Sequence, residues 1–393
     1  MDTPTSPLLV IYIAWHPLFE DGAGIAKKLY SHYRRALYDN ITGGAGLSVM
    51  YRYTPIDGSS LPLDINLEES ATSAVILLID DSWCSDPAWV TWAHSLLERS
   101  NGLGLRSQVF PIAISSEALK LGVAEQFIRW HQWATSTEAE KIRQLLTSLT
   151  YQFCRMLRTY LEGLRRSIDE EEALEQYLRK VEVFLSHSKH DANGVRIATL
   201  IREYLYNGNG FDLGTFFDVH DIPPGLQFNR VILKKVQVSA VVAIHTDSYS
   251  SREWCRREVI EAKRYNVPLV VANCISEIDE RSFPYMGNVP IVRMDPVEAN
   301  RIHDIVGYLL DEVLKDFLWR CRIQPLLGKT APSPVFLPRP PELISLAGLN
   351  GNTPVTMVYP DPPIGAEEQR LFEEVAPQVQ LRSITEWMAA TSA

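Results

Sequence analysis

With 393 residues, 46% of them apolar and 22% charged, the chain is long enough for two or three domains that each bury a core. A net charge of −10 and a pI near 5.5 argue against a general binder of nucleic acid or anionic membrane, since those partners reward a basic surface. Cys84, Cys154, Cys255, Cys274 and Cys321 show no paired spacing, so reduced thiols in a cytoplasmic protein are expected, with neither a disulfide frame nor a metal site.

In chain order, the N-terminal run "LLVIYIA" predicts a buried strand, too short and too polar-flanked for a leader or a membrane span. The runs "AVILLID", "VFPIAIS", "VEVFLS", "SAVVAIH" and "VPLVVANC" follow, separated by amphipathic segments of helical length. They are apolar on both faces, as buried parallel strands must be, and the alternation predicts an α/β fold of parallel sheets wound with helices.

The pattern occurs twice. Ser73-Ala74-Val75 repeats as Ser239-Ala240-Val241, Ser82-Trp83 as Ser248-Tyr249, and Trp89 as Trp254, all at a separation of about 165 residues. The matches are colinear, so a duplicated domain is expected, with a first copy over 1–150 and a second over 179–320. Residues 151–178, "YQFCRMLRTYLEGLRRSIDEEEALEQYL", have few helix breakers and read as a helical connector continuing the last helix of the first copy. Residues 321–393 begin with Pro- and Gly-rich stretches. They continue into "VTMVYPDPPIGAEEQRLFEEVAPQVQLRSITEWMAA", read as strand, turn, helix, strand, helix: a small C-terminal α/β appendage.

The second copy carries candidate chemistry. Its first strand ends in Ser186-His187-Ser188, and the carboxyl ends of strands are where open α/β sheets bind ligands. "FFDVHDIPPG" reads as a strand ending at Phe217-Asp218 and a stiff loop built on Pro223, Pro224 and Gly225. After "SAVVAIH", Ser250 and Glu253 have capping-box spacing, and Trp254 and Glu258, four apart, share a face of the helix they start. In the first copy Ala93 stands where Glu258 does and Ala14 where Ser186 does, while Asp86 and Pro87 keep the helix start.

The ordered motifs "VFLSHS", "FFDVHDIPPG" and "SREWCRRE" resemble a Toll/interleukin-1 receptor (TIR) domain of the bacterial type, over roughly 179–320. The resemblance implies a flavodoxin-like fold and, as in the enzymatic members, NAD+ glycohydrolase activity with Glu258 catalytic. It implies that Trp254, Ser186, Phe184, Phe217 and Asp218 border the substrate, and that Pro223, Pro224 and Gly225 form an assembly loop. NAD+ would enter as substrate, with no cofactor and no metal. TIR–TIR or homo-oligomeric association would activate the enzyme, and a trigger or partner protein would act through the degenerate copy at 1–150. The expectation is an effector of prokaryotic antiviral defence. The alternatives are a non-enzymatic assembly scaffold, or a synthase of a cyclic or conjugated ADP-ribose messenger.

Overall fold

Every apolar run named above becomes a strand, because a segment without a polar face can meet its backbone hydrogen bonds only inside a covered sheet. The computed structural model describes residues 7–34, 46–123, 126–207, 217–220, 239–276, 283–328, 332–349 and 353–391. They belong to two units, Met1–Tyr177 and Leu178–Ala393.

The first unit contains β1 (Leu9–Trp15), α1 (Gly22–Tyr33), β2 (Ser48–Arg52), β3 (Thr72–Ile79), α2 (Asp81–Ser85), α3 (Pro87–Gly102), β4 (Ser107–Ala113) and α4 (Glu138–Arg165), and ends within α5 (Glu170–Leu178). Its sheet has the order β2-β1-β3-β4 with every pairing parallel. All residues of β1 and β3 are buried. Thr137 opens α4 with a reciprocal capping box, its hydroxyl accepting from the Glu140 amide. The connector is not one continuous helix: Arg166 turns extended at φ −154 and ψ 158, and α5 begins after a short break. Gly22 is needed where it stands, since a Cβ there would lie 2.4 Å from Trp15 Cδ1 and 2.8 Å from Phe19 Cδ1. Gly22→Ala is expected to lose about 1–3 kcal/mol of stability by overpacking, read as a lowered denaturation midpoint with unchanged m-value.

The second unit continues with β5 (Val181–Ser186), α6 (Ala192–Asn207), β6 (Phe217–His220), β7 (Ser239–His245), α7 (Glu253–Arg264), β8 (Leu269–Asn273), β9 (Ile291–Arg293) and α8 (Ile302–Ile323). Its all-parallel sheet runs β6-β5-β7-β8-β9. Counted within the unit this is the flavodoxin-like order 2-1-3-4-5, and the first unit has the same order up to its fourth strand. The fold is therefore α/β with parallel sheets wound by helices, and its two larger sheets share one topology.

The C-terminal appendage is a third parallel sheet, β10 (Val335–Phe336), β11 (Val355–Tyr359) and β12 (Val379–Ser383), with α9 (Ala366–Val375) and α10 (Ile384–Thr391). The two-residue β10 lies in the Pro-rich stretch, where no periodicity could announce it. Trp319 of α8 packs with Phe336, Val358, Ile384 and Trp387 of the appendage. Among the described residues, no helix is long and apolar enough to cross a membrane.

Candidate functional site

β5 and β7 lie side by side in register, Ser186 opposite Ala243, so the chain leaves both strands at the same edge of the sheet. Beyond β7 it turns twice, through a Tyr249 N–H bond to Thr246 O at 2.9 Å and an Arg252 N–H bond to Tyr249 O at 3.0 Å, then enters α7. The inner stripe of α7 is Cys255, Val259 and Ala262, the spacing of a helix face laid on a sheet, and Glu258 belongs to that stripe. Helix geometry thus drives a carboxylate inward.

There Glu258 finds a hydroxyl. Ser186 Oγ donates to Glu258 Oε2 and also bonds the phenol of Tyr249. The Tyr249 hydroxyl reaches the Cys255 carbonyl as well, at 3.3 Å. Tyr249 is fully buried among Phe184, Val241, Ala243 and Val259, so the hydrogen-bonded trio Tyr249, Ser186 and Glu258 rests on the core. Glu258 is only 5% exposed. Burial pushes its carboxyl up from the ordinary 4.5 to about 7; hydrogen bonds from Ser186 and Trp254 and the charge of Lys189 pull the other way without offsetting it. Burial, helped by the nearby Glu258, pushes the Cys255 thiol up to about 12, so this cysteine stays protonated and is no nucleophile.

Of the residues singled out in the sequence, Ser186, Trp254 and Glu258 come together. Trp254 sits in the first turn of α7, 45% exposed, hydrogen-bonded to Glu258 and with the Arg257 guanidinium 5.6 Å from its ring centroid. Phe184 lies two residues before Ser186 on the same face of β5, 2% exposed, within the core that supports Tyr249. The strand containing Phe217 and Asp218 does not end there; it runs on to His220. Its register sets Phe217 opposite Val181 and Asp218 opposite Glu182, four residues or about 13 Å along the strand from Ser186. Pro223, Pro224 and Gly225 lie outside the described residues.

Two details differ from the sequence reading. The capping box at Ser250 does not form: α7 begins after Arg252 with no side-chain cap, and Ser250 Oγ bonds His245 Nε2 at 2.7 Å instead. The histidine that ends β7 gave this turn serine a nearer partner than the helix amides. Tyr249 was missed as a site residue, although its alignment with Trp83 marked an aromatic kept at that point of both copies.

The corresponding region of the first unit is solid. Trp83 and Trp89 are fully buried with centroids 4.7 Å apart, and Trp92 lies 5.5 Å from Trp89. Trp89 Nε1 donates to Ser60 O at 3.0 Å, and the His16 ring meets Trp89 edge-on at 5.1 Å. Ala14 and Ala93 add no polar atom. The Asp86 carboxylate caps α3 by accepting from Ala88 N at 2.8 Å and Trp89 N at 3.4 Å, with Pro87 following. Indoles occupy the volume, Ala93 stands at the position of Glu258, and the carboxylates at this edge, Asp80 and Asp86, serve as caps of α2 and α3.

Residues 183–294 match the family model described as TIR domain. The match runs from β5 to just past β9 and includes Ser186, Tyr249, Trp254 and Glu258, which supports a TIR domain in the second unit. No curated protein matches the chain. Among solved structures the chain is similar to tagatose-6-phosphate ketose/aldose isomerase from Escherichia coli. That similarity has 14% identity and a TM-score of 0.21, over 80% of this chain and 83% of that one. At that TM-score the likeness carries no argument.

Proposed function

We propose that the second unit is an NAD+ glycohydrolase in which Glu258 is the catalytic residue. The observation that carries this is a buried carboxylate, poised near neutrality and hydrogen-bonded to Ser186, at the carboxyl edge of the central strands of a TIR-type sheet. Cleavage breaks the bond between ribose C1′ and the pyridinium nitrogen. The electron pair goes to the nitrogen, so nicotinamide leaves neutral and needs no general acid. The ribosyl cation left behind is oxocarbenium-like, and one carboxylate in a dry setting stabilises it until water adds and releases a proton. Ser186 orients the carboxylate, and Trp254 supplies an exposed aromatic face beside it for a planar ring.

The first unit is, in this reading, a degenerate TIR-like domain kept for assembly or sensing. Trp83 and Trp89 stand in place of Tyr249 and Trp254, Ala93 in place of Glu258, and the neighbouring carboxylates of Asp80 and Asp86 are engaged in capping α2 and α3. An effector of antiviral defence, switched on by association, is the setting the motif resemblance suggests.

The test compares NAD+ content in cells expressing the full chain or Glu258→Ala, with products separated by mass. NAD+ should fall only with the unaltered chain, leaving free nicotinamide and ADP-ribose. A cyclic or conjugated product would make the enzyme a synthase with the same carboxylate. NAD+ untouched at high expression would leave a scaffold.

A further inference from the structure

The helix that carries Glu258 is held at its far end by a segment from the C-terminal appendage. Lys263, five residues after Glu258 in α7, keeps 3% of its side chain exposed. Its ammonium donates to both carboxylate oxygens of Glu342, at 2.8 and 2.7 Å, and to the Gly287 carbonyl at 2.5 Å. All three of its donors are used. Glu342 is itself fixed, because it starts the short helical turn Leu343–Leu346 and its amide donates to Ser345 Oγ at 3.1 Å.

A second anchor lies three residues earlier. Arg339 Nη2 donates to the Val267 carbonyl at 2.8 Å, in the turn that joins α7 to β8, and lies 4.0 Å from Glu312 of α8. Behind these contacts Leu337, Leu346 and Leu349 belong to the apolar cluster of the appendage. The stretch 337–349 therefore has one side pinned to α7 and the other built into the third sheet. The other end of α7 has no side-chain cap. A buried ion pair adds little net stability over an apolar pair, but it holds one geometry and is costly to break from one side.

We infer that Glu342 is a positioning residue for the site: through Lys263 it clamps α7 in the orientation that keeps Glu258 against Ser186. This rests on reading Glu258 as the catalytic carboxylate. The appendage is thereby part of the enzyme, because without it Lys263 is a stranded charge on the helix that carries the acid.

The experiment uses the full chain and Glu342→Gln, which keeps the shape of the side chain and removes its charge. Two quantities are read: amide hydrogen exchange across residues 253–264, with β7 as internal reference, and kcat and KM for NAD+ cleavage. Exchange in α7 should rise about tenfold while β7 stays protected, and kcat should fall about tenfold with KM within about twofold. Should Glu342→Gln leave β7 unprotected, Glu342→Asp, which keeps the charge on a shorter stem, is measured in its place and should show a smaller change of the same kind. Unchanged exchange in α7 overturns the inference. So does looser α7 with unchanged kcat, which reduces Glu342 to a structural residue. If the unaltered chain cleaves no NAD+, the enzyme reading fails by itself, and exchange in α7 alone then decides whether the clamp exists.

Discussion

Glu258→Gln is expected to reduce NAD+ cleavage by at least about 10³-fold while making the second unit more stable at pH 8. The loss follows from replacing the one negative charge that faces the ribosyl cation with a neutral amide of the same shape. The gain follows from linkage. The carboxyl titrates at about 7 in the folded protein against an ordinary 4.5, so between those values the unfolded chain releases a proton that the folded one keeps. The stabilising contribution of the protonated group is present below about pH 4.5 and lost as pH rises through about 7. At pH 8 the ionised form costs about 3 kcal/mol, and glutamine, unable to ionise, removes that cost. Denaturant unfolding at pH 5 and pH 8 measures it: the variant's advantage should appear at pH 8 and shrink toward pH 5. Loss of activity with loss of stability at both values would instead mean that Glu258 is a structural acid.

Cleavage in the unaltered enzyme should fall on the acid side of neutrality. A carboxylate that must be ionised to act, with a pKa near 7, loses about tenfold in kcat/KM for each pH unit below it, or about a hundredfold by pH 5. An ordinary exposed glutamate, titrating near 4.5, would keep about three-quarters of its activity at that pH. Ser186→Ala removes the hydrogen bond that favours the charged form, so the acid limb should move to higher pH and lower the rate at pH 7. An acid limb near pH 4.5 in the unaltered enzyme would show that Glu258 is better solvated during turnover than its burial implies.

The fold was legible because its central strands are buried on both faces and so appear as uninterrupted apolar runs; β1, β3, β5, β7 and β8 all did. The edge strands were harder. β6 was placed too early along the chain, since an edge strand need not be continuously apolar and "FDVH" is not. Spacing alone brought Trp254 and Glu258 to one helix, because a four-residue interval fixes a shared face. Spacing could not show that Ser250 would prefer His245 to the helix amides, which depends on a side chain at the end of the preceding strand. Tyr249 was invisible for a related reason: a tyrosine in a turn reads as surface until β5 brings Ser186 to its hydroxyl across 63 residues of chain. The break after α4 was hidden as well, since Arg166 is a good helix former and its extended backbone is set by context.

The packed indoles of the first unit have a practical side. Of the nine tryptophans, Trp15, Trp83, Trp89, Trp92, Trp130 and Trp133 belong to residues 1–177, leaving Trp254, Trp319 and Trp387 for the rest. Trp83, Trp89 and Trp92 are close enough for their excited states to couple, which should give the intact first unit a circular-dichroism signature that is lost when it unfolds. Trp254, already in contact with water, changes little on unfolding. Emission will therefore report on the second unit through Trp319 and Trp387, buried where α8 meets the appendage, and the stability of the helix that carries Glu258 itself has to be followed through its backbone.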